Sequence, residues 1–272
     1  MRLDIHAVIL LAAPRPVEAV LMVEAAWSED HTILSEQLSA PEGLAETHPC
    51  TGARLLGFTA EGSVRIEYRA SIENGERQTF DDDIEKTPLA DLPQVCLDYL
   101  EPTQLCPSDR FEPFAEGMFG HIVTAGQQAR AVLDWVEGYL SNRPGFSNQW
   151  TTAEDTFHLR SGVCRDFAHV AICLFRALGT PARYVSAYAW RLQPPDFHAV
   201  VEIYLGDRWW LVDPTGRAPV EGLVRIGSGR DAADVAFLTT SGRVHFKGLK
   251  IAVTEVEEQP ALASVGLEHE RA

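Results

Sequence analysis

Three residue types that together can perform nucleophilic chemistry stand in order along this chain: Cys164, His198 and Asp213. A thiol becomes a strong nucleophile when a base takes its proton. An imidazole can be that base, and a carboxylate can fix the imidazole in one tautomer and orientation. Cys164 leads an apolar stripe of Phe167, Ala168, Ala171, Ile172, Phe175 and Leu178 at helical spacing. Gly179 fits the left-handed position after a helix, and Pro181 blocks continuation. Cys164 is therefore expected in the first turn of a buried helix. There, unpaired N–H groups and the dipole favour a thiolate, with Arg165 adding to the effect. The same N–H groups would serve an oxyanion if the thiolate attacked a carbonyl.

His198 and Asp213 are brought together by a hairpin. Leu205-Gly206-Asp207-Arg208 reads as a tip with a two-residue loop. That register sets Leu205 opposite Arg208 and Asp213 opposite Val200. His198 then shares a face with Asp213 on the diagonal, about 7–8 Å away between Cα atoms, which an imidazole and a carboxylate can span. Ala199, Val201, Ile203 and Leu205 form the opposite, core face. A three-residue loop would flip the faces and separate the pair.

Other chemistry-bearing residues read as structural. His169 lies about 140° around the helix from Cys164 and is a poor partner for it. Asp166 complements the dipole in the first turn. His158, Cys164, His169 and Cys173 do not have the spacing of a common zinc site, and Cys173 falls among buried apolar positions. Gln149 and Trp150 read as a loop aromatic, packed, with a polar neighbour, their alternative being to line a cleft or donate to an oxyanion. Trp190, Trp209 and Trp210 are expected as core or cleft wall, Trp209 on the face of Asp213 and Trp210 on the core side. Arg183 and Asp231 are a possible structural pair. No phosphate-cradling glycine loop or nucleotide fingerprint occurs.

The elements that must position these groups fall into an α+β order. Residues 1–88 read as a β-rich N-terminal domain: Ser63 to Ala70 alternates polar and apolar, and Asn74-Gly75 signals a hairpin turn. Asp81-Asp82-Asp83 and the prolines up to Pro93 read as a linker. Residues 89–256 carry a helix from Gln127 to Leu140 and a short one after Thr152, capped by Asp155 and ended by Gly162. The Cys164 helix follows, then strands at Ala182–Ala189, His198–Leu205 and Arg208–Val212. Residues 257–272 read as a loose acidic tail.

Of 272 residues, 46% are apolar and 23% charged, which excludes collagen-like and wholly disordered chains. Lys and Arg number 23 against 39 Asp and Glu, for a net charge of −16. So acidic a surface repels phosphate backbones and anionic lipid, so nucleic acid and membrane are poor partners. Five scattered cysteines do not make a disulfide framework, and a reducing cytoplasm is the simpler setting. The apolar run Ala7 to Ala13 follows Asp4 and His6 and meets Pro14-Arg15-Pro16. It reads as a buried strand rather than a signal peptide.

Gly162-Val163-Cys164-Arg165-Asp166-Phe167-Ala168-His169, Arg176 to Val185, His198-Ala199 and Asp213-Pro214-Thr215 together resemble the transglutaminase-like superfamily. Within it they are most similar to the bacterial branch provisionally named cysteine proteases. The resemblance covers about residues 94–225, and the β-rich start and the stretch Gly229 to Leu238 resemble further parts of that branch. It implies a papain-like α+β core with Cys164 as nucleophile, His198 as general base and acid, and Asp213 as orienting carboxylate, without cofactor or metal. Two positions depart from the family's pattern: Val200 stands where Trp usually follows His-Ala, and Ala187 where a Gly is usual. The expected function is thiol-dependent acyl transfer on a carboxamide of a peptide or protein, with hydrolysis foremost. Protein-glutamine transamidation and a catalytically silent peptide-binding scaffold are the alternatives.

Overall fold

The computed structural model describes residues 1–48 and 51–256. Cys50 and the acidic tail beginning at Glu257 lie outside the described residues. The chain opens with β1 (Arg2–Leu21), β2 (His31–Ser39), β3 (Gly43–Thr47) and β4 (Arg54–Asn74). In β1 the odd positions Leu3, Ile5, Ala7, Ile9, Leu11 and Ala13 are buried, so the run Ala7 to Ala13 is a strand with one face on a core. Its register against β4 shifts between Ala13 and Val17. Pro14 and Pro16 lie in that gap and have no N–H to give the ladder.

Asn74-Gly75 does not turn a hairpin. Asn74 ends β4 and is buried, and its side-chain amide donates to the carbonyls of Glu221 and Leu223 at 2.8 and 3.1 Å. Gly75 N–H donates to the Asp30 carbonyl at 3.0 Å. The turn signal was strong locally, but tertiary partners claimed both residues.

Helical elements follow: α1 (Gln94–Leu97), α2 (Glu112–Phe119) and α3 (Ala125–Tyr139). Next come the short strand β5 (Ser141–Asn142), α4 (Ala153–Leu159), β6 (Ser161–Gly162), paired with β5, and α5 (Cys164–Ala177). Thr152 and Asp155 cap α4 reciprocally, as the spacing predicts. Arg160, at φ 52°, ends α4 in place of Gly162. Gly162 meets a different demand, because a Cβ there would lie 2.6 Å from the Asp166 side chain.

The second sheet has the order β10-β7-β8-β9, from β7 (Ala182–Ala189), β8 (Phe197–Leu205), β9 (Arg208–Val212) and β10 (Leu223–Gly229). Leu205 pairs with Arg208, and Gly206 and Asp207 both have positive φ (54° and 65°), the type I′ geometry that the loop length predicts. β11 (Leu238–Thr240) and β12 (His245–Glu255) return to pair with β1. Strands from the end of the described chain thus complete a six-stranded first sheet.

The central residues of α5, from Asp166 to Arg176, are all buried. This helix packs on the face of β8 carrying Ala199, Val201 and Ile203, which belong to the main core. The other face of β8 is buried too. Val200 joins Val185, Ala187, Leu192 and Leu223 in a second apolar cluster. The two sheets meet where Tyr68 stacks on Tyr188 at 6.1 Å, and the Tyr188 hydroxyl donates to the Val23 carbonyl at 2.6 Å.

Candidate active site

Cys164 is the first residue of α5 and is partly exposed, unlike Cys96, Cys106 and Cys173, which are buried. Its own N–H has no acceptor among the described residues, as the first N–H groups of a helix lack intrahelical partners. Asp166 braces this helix start. The carboxylate is fully buried, accepts from the Val163 N–H at 2.7 Å and the Ser147 hydroxyl at 2.5 Å, and holds Arg165 at 2.8 Å. Asp166 therefore does more than complement a dipole: it ties the preceding loop and Arg165 to the turn carrying Cys164. The close approach at Gly162 makes room for it.

The β8–β9 hairpin delivers the other two groups. His198 Nε2 donates to Asp213 Oδ2 at 2.9 Å, and both side chains are almost fully buried. The ring's other nitrogen, Nδ1, is buried with no hydrogen-bond partner settled on it. The Cys164 side chain acts on the same ring as a neighbour that favours its protonated form. Burial opposes the imidazolium, but the Asp213 hydrogen bond and the Asp213 and Cys164 charges outweigh it, raising the His198 pKa from 6.5 to about 9. Burial likewise penalises the Asp213 carboxylate, yet His198 and Thr215 hold its pKa below the ordinary value.

Asp213 is fixed by the turn that follows it. Oδ1 accepts from the Thr215 N–H at 2.9 Å and the Thr215 hydroxyl at 2.7 Å. Oδ2 accepts from the Arg217 and Ala218 N–H groups at 3.2 and 3.0 Å, besides His198. Thr215 is a positioning residue that sequence reasoning passed over, although a hydroxyl two places after an Asp before proline is a recognisable turn signal.

The remaining candidates separate from this cluster. His169 is wholly buried, and its Nε2 accepts from the Ala232 N–H at 3.2 Å. Burial drives its pKa down to about 3, so it is a neutral packing residue. Cys173 is buried beside Cys106, and burial pushes its thiol well above the ordinary value. Arg183 pairs with Glu202 at 2.6 Å, while Asp231 accepts from the Thr103 hydroxyl. Trp210 is buried and its indole N–H donates to the Leu205 carbonyl, while Trp209 packs edge-on to Tyr99. Trp190 lies under the Arg191 guanidinium. Trp150, expected as a packed aromatic, is 72% exposed, and Gln149 beside it is exposed too. Val200, at the position where Trp was expected, is 0% exposed and belongs to the second apolar cluster, not to a cleft wall.

The arrangement places a thiol at a helix start, an imidazole held by a carboxylate, and a backbone N–H with no acceptor among the described residues in one neighbourhood. This is what acyl transfer through a thiol requires.

Residues 113–214 match the family model of the transglutaminase-like superfamily. A crystal structure from Cytophaga hutchinsonii, titled a "Putative Cysteine Protease", is 32% identical and superposes with a TM-score of 0.90, covering 96% of this chain and 93% of that one. An uncharacterized protein of Mycobacterium leprae is 34% identical over 127 residues, spanning 42% of each chain. An uncharacterized protein of Mycobacterium tuberculosis H37Rv is 34% identical over 108 residues, spanning 34% of each. The chain thus matches less than half the length of these mycobacterial relatives. At a coarse level, the family and the Cytophaga structure support a thiol-dependent enzyme.

Proposed function

The chain belongs to the transglutaminase-like superfamily, and from that premise we propose that it is a cysteine amidohydrolase or protease acting on a carboxamide of a peptide or protein. The observation that carries the reading is the His198–Asp213 hydrogen bond with Cys164 acting on the same ring. The Cys164 thiolate adds to the carbonyl carbon, and the oxygen of the tetrahedral intermediate takes the helix-start N–H. The His198 imidazolium gives its proton to the nitrogen of the leaving amine as the C–N bond breaks, leaving a thioester. Water then adds to the thioester with its proton passing to His198. Cleavage of the C–S bond releases the acid and returns the thiolate–imidazolium pair. An amine in place of water would give transamidation by the same steps. The net charge of −16 favours peptide substrates over nucleic acid or anionic membrane.

Iodoacetamide alkylation of Cys164, followed across pH by mass spectrometry in wild type and His198→Ala, tests this reading. Alkylation is expected to persist at pH 6 in the wild type and to fall at that pH in the variant. Equal, slow alkylation of both proteins would mean that the thiol is inert, leaving a peptide-binding scaffold. A glutamine peptide with a labelled primary amine then separates the acceptors: label incorporated into the peptide would refute pure hydrolysis.

A further inference from the structure

A cavity of about 770 Å³ lies on the face of the second sheet that carries Glu202, a size that suits a small organic molecule or a short peptide. Its walls come from the β1–β2 connection, from the segment after β4 and from strands β7 to β10. None of Cys164, His198 or Asp213 lines it. Guanidinium groups dominate its floor. Arg225 is 8% exposed, and the side chains of Arg77 and Arg183 are 10% and 14% exposed. Two carboxylates face these three cations. Glu202 accepts from Arg183 Nε at 2.6 Å and from Arg225. Asp30 lies 2.6 Å from Arg225 but 3.5 Å from Arg77. Both carboxylates are thus committed to Arg225, and the floor keeps one positive charge in excess.

Arg77 carries that excess. One terminal nitrogen donates to the Leu223 carbonyl, an uncharged acceptor, at 3.0 Å, and its Nε is buried with no acceptor among the described residues. Burial pushes its pKa below the ordinary value, Asp30 offsets part of that, and the Arg225 charge adds to it. Arg225, buried too, is instead raised, because Glu202 and Asp30 outweigh burial. Arg183 completes the floor. Its guanidinium lies 4.1 Å from the Trp209 ring, which holds its plane, and its two terminal nitrogens have no acceptor among the described residues. Such a fork matches a carboxylate. A desolvated cation short of its counter-charge is costly, and a buried donor without an acceptor marks a missing partner.

We propose that this cavity binds one carboxylate group, as a free small acid or as the C-terminus of a short peptide, on the floor that Arg77 and Arg183 form. One negative charge matches the one excess positive charge, whereas a phosphate dianion would overshoot it beside Asp30 and Glu202. Glu29 and Glu76 also line the cavity, with Arg208, but all three are exposed, where water and salt screen them. The site is independent of acyl transfer at Cys164.

The test uses the full chain carrying Cys164→Ala, so that no peptide is consumed. Calorimetry compares acetyl-Ala-Leu with its amide, propionate with propionamide, and both acids with inorganic phosphate. At least one acid is expected to bind about tenfold more tightly than its amide, the worth of a hydrogen bond to a charged group. Which acid does so identifies the source of the carboxylate. Arg77→Gln keeps a donor for the Leu223 carbonyl but removes the excess charge, and should bring the ratio to near one. Arg77→Lys should keep most of it. If Arg77→Gln does not melt cooperatively, Arg183→Lys takes its place: it keeps the charge, loses the fork and should lower the ratio about threefold or more. Ratios near one for both acids, a ratio that survives the variant, or phosphate binding as tightly as the better acid overturns the proposal.

Discussion

Asp213→Asn removes the charge that holds His198 while keeping nearly the same shape. In the wild type that carboxylate, with Cys164, overcomes burial and raises the His198 pKa from 6.5 to about 9. At about 1.4 kcal/mol per unit, the rise corresponds to about 3 kcal/mol of preference for the imidazolium in the folded state. A raised pKa contributes stability that is fully present below the unfolded value, 6.5, and is lost as pH climbs through about 9. The lowered Asp213 pKa expresses the same interaction from the other partner and is not added to it. The assay is urea unfolding at pH 6, 7.5 and 9, with the His198 ring titrated by NMR. The wild type is expected to lose about 3 kcal/mol between pH 6.5 and 9 through this group. In Asp213→Asn, burial pulls His198 back toward or below 6.5, and most of that pH slope disappears. The variant also loses stability at every pH, since its amide NH2 must face N–H or O–H donors of Thr215, Arg217 or Ala218. The slope, rather than the offset, is therefore the diagnostic quantity. A variant keeping the wild-type slope, or a wild-type His198 titrating near 6.5, would refute the reasoning.

Three further perturbations follow from the geometry. Thr215→Val keeps the side-chain shape but removes the 2.7 Å hydroxyl bond to Asp213; we expect a stability loss of about 1 kcal/mol and a lower His198 pKa, both read in the same NMR and urea experiments. Gly162→Ala puts a Cβ 2.6 Å from the Asp166 side chain. It should displace that brace and slow Cys164 alkylation at pH 6, whereas an unchanged rate would show that the brace does not position the thiol. Val200→Trp inserts a large ring at a site with 0% exposure; it should destabilise by about 1–3 kcal/mol or more, and a wild-type melting temperature would mean that the second apolar cluster is open to a cleft.

The candidate site was legible because β pairing is arithmetic once the loop length is known. The Gly206-Asp207 loop fixes the register, the register puts His198 on the face of Asp213, and the bond between them is 2.9 Å. Cys164 was legible because the apolar stripe, Gly179 and Pro181 delimit one helix. What escaped depends on partners far along the chain. Asn74 is claimed by carbonyls of Glu221 and Leu223, and β12 by the other edge of β1. Neither is encoded in the local pattern. Alternation alone also does not reveal the second face of β8, because nothing local shows that Val200 packs with Leu192, Ala218 and Leu223 or that Glu202 is taken up by Arg183 and Arg225.

Glu202 shows why that second face matters for the site. It is 1% exposed and accepts from Arg183 on β7 and from Arg225 on β10, and Arg225 reaches on to Asp30. Burial alone would raise its pKa, but Arg225 and Arg183 keep it below the ordinary value, so the carboxylate stays charged. A buried ion network of this kind is weak grounds for net stability, because desolvation offsets much of the attraction. Its leverage is on register. Glu202 stands directly opposite Arg183, and His198 lies four residues earlier on the same strand face. A one-residue slip of β8 would turn Glu202 into the apolar core and take its carboxylate from the half-buried Arg183 and the buried Arg225, leaving Arg225 with Asp30 alone. The same slip would turn His198 away from Asp213. The charge network and the candidate catalytic pair therefore select one and the same alignment of β8. The cost of losing that alignment is set by Arg183, Glu202 and Arg225, at the end of the strand remote from the chemistry.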